Sequence, residues 1–253
     1  MNLLHMSRLS NILKLSLGVI ILLGYIFVPM CHGGVYVFDR VTSLNTAVYL
    51  KVLTKGRFFS EGGKLVDIYV NDKKFKRILT GGDGYGYLKY TPQRLGLTRI
   101  EARSNSDRES GILLVVNKND KVILIEVESG FKESLFSDTV KADSRKAVEI
   151  LSKTYKIIYL NRYFGAGLAK KWLENEKFPE SATLKWSGSQ MLKAMKDKNI
   201  QLYALIGSAD LISAAKKYVE NRYTFEETKA GQTVKDWQEI LKILQQDPQK
   251  AEN

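Results

Sequence analysis

Residues 111–130 read GILLVVNKNDKVILIEVESG, two apolar runs on either side of the polar turn Asn117-Lys118-Asn119-Asp120. The upstream run, 112–116, closes a series of short strands. The downstream run, 122–127, opens a series in which strands alternate with helices. A continuous apolar strand is what a sheet covered on both faces requires. The turn therefore separates an all-β half from an α/β half.

Upstream, alternating or apolar runs recur at 35–38, 47–53, 65–70, 85–90, 98–102 and 112–116. Turn material separates them at Glu61-Gly62-Gly63, Asn71-Asp72, Gly81-Gly82-Asp83-Gly84 and Ser104 to Asp107. Short strands with turns at this spacing predict a β-sandwich over 34–117. Asn71-Asp72 suits a tight hairpin, because both residues tolerate left-handed backbone. The Gly81 to Gly86 run is no phosphate loop: it lacks a following Lys-Ser/Thr and precedes a strand. Downstream, over 118–246, strands are expected at 122–127, 156–160, 182–185 and 200–206. Helices are expected at 144–153, 166–175, 189–198, 210–221 and 233–246, giving a parallel sheet wrapped by helices. Residues 247–253 form a polar tail.

The first 33 residues read as an address. Arg8 and Lys14 precede an uncharged apolar run, 15–30, and Cys31 and Gly33 are small residues ahead of a cut before Gly34. This describes a cleaved secretory signal or an uncleaved membrane anchor. Either places the remainder outside the cytoplasm, in the periplasm or beyond, with the membrane touched only through residues 1–33. The 253 residues carry 39 Lys and Arg against 27 Asp and Glu, a net charge of +12. That excess divides as +2, +6 and +4 among 1–33, 34–117 and 118–253, so it is diffuse. The densest basic patch, Lys73, Lys74, Lys76 and Arg77 around Phe75, suits either an anionic envelope component or a Lys-blunted edge strand. Nucleic acid is a poor partner for an exported chain without clustered stacking aromatics. The single Cys and both His lie within residues 1–33, which excludes disulfide frameworks, Cys zinc sites and His triads beyond them. Chemistry, if present, falls to carboxylates, Lys, hydroxyls and backbone groups.

Two resemblances extend this. The stretches GGKLVDIYVNDK (62–73) and GYGYLKYTP (84–92), with Gly96 before the next strand, resemble bacterial immunoglobulin-like domains. Such modules serve as spacers or binding platforms. The stretches YKIIYLNR (155–162), KWLE (171–174), Phe178-Pro179 and LYALIGSAD (202–210) resemble the haloacid dehalogenase-like phosphatases, closest to the lipin-type branch. That resemblance implies a three-layer parallel sheet and Mg²⁺-dependent hydrolysis of a phospholipid or small phosphate ester.

The family's first motif, Asp-x-Asp-Gly-Thr, is here Glu126-Val127-Glu128-Ser129-Gly130. The resemblance makes Glu126 the nucleophile position and Glu128 the acid/base position, with period two placing both on one side. Each carboxylate is one methylene longer, and a misplacement of about 1 Å can cost on the order of a hundredfold in rate. Asn161 replaces the hydroxyl residue of the second motif. Lys193 or Lys185 stands for the third-motif Lys. Ser208 replaces the fourth-motif Asp or Asn, while Asp210 remains. Mg²⁺, if bound, would fall to Glu126, Glu128 and Asp210; no other cofactor is implied. The same residues also have plain roles, as a polar strand end and, for Asp210, a helix cap. Departures at all four motifs argue for a catalytically silent descendant with a phosphate-containing ligand or an envelope partner. An altered Mg²⁺-dependent phosphatase, and an adhesive module working through the sandwich, are the alternatives.

Overall fold

Six consecutive residues, 111–116, are buried at the end of strand β8 (Asp107–Val116). Alternation sends Leu113 and Val115 into a core with Leu50, Val66, Ile68 and Ile100. It sends Ile112, Leu114 and Val116 the other way, into a core with Leu124, Leu160, Leu192 and Leu205. One strand thus fills two cores. The computed structural model describes residues 34–246 apart from 135, 136 and 138. The expected export segment and the tail lie outside the described residues.

The first core lies between two sheets. One pairs β1 (Gly34–Phe38), β3 (Val48–Lys55) and β6 (Tyr85–Tyr90) in the order β1-β3-β6. The other comprises β2 (Arg40–Ser43), β8, β7 (Gly96–Ser104), β4 (Leu65–Val70) and β5 (Lys73–Leu79) in the order β2-β8-β7-β4-β5. All pairs are antiparallel except β2 with β8. This is the immunoglobulin-like plan, its first edge split between the two sheets. Asn71 and Asp72 form the β4–β5 turn with φ of 48° and 64°, as their residue types predict.

Two strands were not legible in the periodicity. β2 follows β1 after a single residue, Asp39, where the chain changes sheets. β5 reads KKFKRIL, and its charged side chains are exposed along a sheet edge. Lys74 and Arg77 reach across to Asp67 at 3.0 and 2.7 Å, and the Arg77 fork holds that carboxyl well below the usual range.

Downstream of the turn the chain runs β9 (Lys121–Glu126), α1 (Val127–Phe131), α2 (Ser144–Ser152), β10 (Lys156–Asn161), α3 (Ala166–Asn175), β11 (Thr183–Lys185) and α4 (Ser189–Lys196). It continues β12 (Gln201–Ile206), α5 (Ala209–Ala215), β13 (Asn221–Thr224), β14 (Gln232–Thr233) and α6 (Trp237–Gln245). The six strands form one parallel sheet, ordered β11-β10-β9-β12-β13-β14. One face packs with β8 and with Leu192 of α4 and Leu211 of α5. The other packs Val148 of α2, Leu173 of α3 and Trp237 of α6 around Ile123, Ile125 and Tyr159. Trp237 stacks on Phe131 and donates to the Gly130 carbonyl at 2.8 Å.

Three expectations change. The strand over 122–127 ends at Glu126, and Val127 opens the unforeseen α1. The helix over 210–221 stops at Ala215, because Asn221–Thr224 pairs with β12 instead. The final helix starts at Trp237, not at 233. Asp236 accepts the Glu239 N–H at 2.9 Å while the Glu239 carboxylate reaches back to the Lys235 N–H at 2.8 Å, which fixes that start.

The halves are fastened by polar groups as well. Asp39 accepts the N–H groups of Ile112 at 2.7 Å and Thr183 at 2.9 Å, with the Lys170 ammonium 3.6 Å away. Ser43 donates to the Lys198 carbonyl at 2.6 Å, and Lys170 to the Ser110 carbonyl at 3.2 Å. Gly111 permits the approach, since a Cβ there would lie 2.7 Å from Val37 Cγ1 and 3.1 Å from Asp39 Oδ1.

Leu114→Ala should therefore destabilise the protein by about 2–5 kcal/mol in urea. Hydrogen exchange should rise in β7 as well as β9, with unfolding still a single transition. Two separated transitions in the wild type would show that the halves fold independently.

Candidate functional site

The parallel sheet reverses its strand order at β9, whose neighbours β10 and β12 lead to helices on opposite faces. Crevices in sheets of this kind open at the carboxyl ends of the strands, beside that reversal. Glu126 ends β9 at this point and is fully buried. Its Oε2 accepts the Ser129 hydroxyl and the Ser208 N–H, both at 2.6 Å, while Oε1 has no hydrogen-bond partner. The turn after β12 closes onto it through Gly207, where a Cβ would sit 2.9 Å from Glu126 Oε2.

Glu128 does not follow Glu126 at strand spacing, because α1 has begun. The helical step turns its carboxylate to the segment after β10. There Oε1 accepts the N–H groups of Tyr163 at 2.9 Å, Arg162 at 3.0 Å and Phe164 at 3.3 Å. A carboxylate gathering successive N–H groups is a strong local fastener. Lys132, the residue after α1, lies over the Phe164 and Trp172 rings at 4.7 and 5.0 Å from their centroids.

Arg162 joins the two carboxylates. Its N–H serves Glu128, and its guanidinium donates to the Ser208 hydroxyl at 3.2 Å and to Asp210 Oδ2 at 3.3 Å. Ser208 in turn donates its N–H to Glu126. Asp210 sits in the first turn of α5 with its side chain 81% exposed. Asn161, at the end of β10, is fully buried, and neither its Oδ1 nor its Nδ2 has a partner.

Glu126, Glu128 and Asp210 are thus brought to one end of the sheet, linked through Ser208 and Arg162. The sequence placed Arg162 beside Asn161 in the same crevice, but neither its bonds to Ser208 and Asp210 nor the Ser129 bond to Glu126 was foreseen. Lys185 is the register partner of Asn161 on β11 but is exposed, and Lys193 stands on the exposed side of α4. Neither of them contacts the two glutamates.

The expected Mg²⁺ trio is not assembled. Mg²⁺ needs oxygen ligands around one point, yet Glu128 is turned to backbone N–H groups and Asp210 points outward to Arg162. Among the described residues, no three His, Cys, Asp or Glu side chains could jointly hold a metal ion. No described helix is long and apolar enough to cross a membrane.

No family model matches the chain, and neither does any curated protein. Solved structures share about a third of it. An FMN-binding beta-glucuronidase from Facaelibacterium prausnitzii L2-6 is 16% identical over 33% of this chain and 12% of its own, with a TM-score of 0.25. The CARDB domain of PF1109 from Pyrococcus furiosus is 18% identical over 34% of this chain and 93% of its own, TM-score 0.26. The D00-D0 domain of Intimin is 13% identical over 35% of this chain and 50% of its own, TM-score 0.30. The chain thus spans about an eighth of the glucuronidase and half of the Intimin fragment. Likenesses this slight say nothing of what the chain does.

Removing the Glu128 carboxylate takes the acceptor from three N–H groups in a part-buried segment, where water can reach some of them. Glu128→Ala should lower stability by about 1–3 kcal/mol and raise hydrogen exchange at residues 162–164. Glu128→Gln should recover part of the loss. Asn161→Leu removes two unpaired polar atoms and should leave stability equal or raised by about 1 kcal/mol. Thermal and urea denaturation measure both.

Proposed function

We propose that this chain is an exported, non-catalytic structural module. The immunoglobulin-like sandwich carries its working surface, and the α/β half is a silenced relative of the haloacid dehalogenase-like phosphatases serving as a rigid base. The observation that carries this reading is the state of Glu126 and Glu128. Attack on a phosphate ester needs a carboxylate oxygen within about 3–3.5 Å of phosphorus. Glu126 is fully buried and Glu128 almost so, and both accept hydrogen bonds from their own fold. They act as clasps for the turns after β10 and β12.

The sandwich supports its part of the reading through its surface. Tyr49 of β3, Phe58 and Phe59 after β3, Phe75 of β5 and Tyr87 of β6 are exposed there. Solvent-facing aromatics of this kind are suited to contact with an envelope partner. Export rests on the sequence of residues 1–33.

One observation favours the phosphatase alternative: Glu126 Oε1 and both polar atoms of Asn161 are buried without partners. The two readings part in a hydrolysis assay. The full-length chain with Mg²⁺ and para-nitrophenyl phosphate should release no more phosphate than Glu126→Gln does. Turnover by the wild type that disappears in Glu126→Gln would overturn the non-catalytic reading.

A further inference from the structure

Between the halves, away from Glu126, lies an open cavity of about 460 Å³. Arg40 of β2 and Lys51 of β3 line it from the sandwich; Lys185 of β11 and Lys198, beyond α4, line it from the other half. The one carboxylate in its wall, Asp39, is already engaged by the Ile112 and Thr183 N–H groups and by Lys170.

The cations outnumber the acids that line the cavity, where Asp39 stands against Arg40, Lys51, Lys185 and Lys198. Arg40 gives its Nε–H to the Tyr49 carbonyl at 3.2 Å, and the nearest acid acting on its guanidinium is Asp39, which is itself shared with Lys170 and two N–H groups. Lys51 lies over the Tyr85 and Phe38 rings at 4.0 and 4.7 Å, held by π faces and not by a carboxylate. Lys198 is half-buried; burial first, and then the Arg40 charge, push its ammonium below the usual value. Burial likewise lowers Arg40. Like charges held close in a low-dielectric cleft focus a positive field into it.

The remaining wall is apolar, with Phe38, Val41, Trp186 and Met191. A concave apolar surface with a few converging polar groups is the usual form of a small-molecule site. It is also pre-organised: the Ser43–Lys198 bond at 2.6 Å and the Asp39–Thr183 bond at 2.9 Å fix the two walls relative to each other.

We infer that this cleft binds a small organic dianion, two negative charges on an apolar body, seated between Arg40, Lys51, Lys185 and Lys198. Four cations exceed what a single carboxylate compensates, which points to a phosphate monoester or a dicarboxylate. The site is separate from the Glu126 cluster and does not depend on the function proposed above.

The test is titration calorimetry on the full-length chain with naphthyl phosphate, phthalate, inorganic phosphate and neutral naphthol. Naphthyl phosphate or phthalate should bind, more tightly than inorganic phosphate or naphthol, and more weakly as NaCl is raised. The double variant Arg40→Met, Lys198→Met, which removes two of the four cations, should bind roughly tenfold or more weakly. Its melting temperature without ligand should not fall, since the repulsion is relieved. Lys217→Met, at an exposed residue outside the cavity, should bind like the wild type. Whichever probe binds identifies the head group. No binding by either dianion, binding unchanged in the double variant, or equal affinity for inorganic phosphate and naphthyl phosphate would each overturn the assignment.

Discussion

Residues 111–116 of strand β8 are buried on both faces, and the rest of the molecule is arranged around that fact. A strand of a sandwich ordinarily shows one face to water. Here Ile112, Leu114 and Val116 would be a stripe of exposed aliphatic side chains without the parallel sheet beside them. Without the sandwich, that sheet would lose the lid over Leu124, Leu160 and Leu205. Each half therefore supplies apolar surface that the other needs, worth about 25 cal/mol per Å² removed from water. The Asp39, Ser43 and Lys170 bonds then fix the direction in which the two surfaces meet. The cleft between Arg40 and Lys198 is a consequence of that fixed angle.

The carboxylates at the end of β9 illustrate how position and role separate. A strand end beside the reversal of sheet order is where α/β proteins place reactive groups. Glu126 and Glu128 stand there, yet each faces donors of its own chain. Ending β9 one residue earlier than its apolar run suggested is enough to cause this. Val127 becomes the first helical residue, the two-residue alternation is lost, and Glu128 swings to the N–H groups of residues 162–164. A longer side chain than Asp allows that reach.

Legibility in the sequence followed periodicity. β4, β6 and α3 start and stop where their patterns do, because one face of each is buried and the other is not. β5 has no apolar face to announce it and was legible only as the Lys-blunted edge that follows the Asn71-Asp72 hairpin. β2 was hidden because four residues next to another strand do not reveal a change of sheet. α1 and the short α5 were misjudged because strand β13 and the packing of Phe131 against Trp237 compete with local helix pattern. At the candidate site, the carboxylates could be located from sequence, whereas their partners could not. Those partners are mostly backbone N–H groups, which every residue but proline carries and no composition marks.

By itself the sequence determined the two regimes, the turn between them, the left-handed hairpin at Asn71 and Asp72, and the absence of His and Cys chemistry beyond residue 33. These are set by local steric preference, by alternation and by residue type. The tertiary structure alone decided that both glutamates serve the fold, that β8 fills two cores, and that Arg40, Lys51, Lys185 and Lys198 share one cavity. Each of those depends on which distant segment arrives opposite a side chain, and that is a property of packing between elements and of no element taken singly.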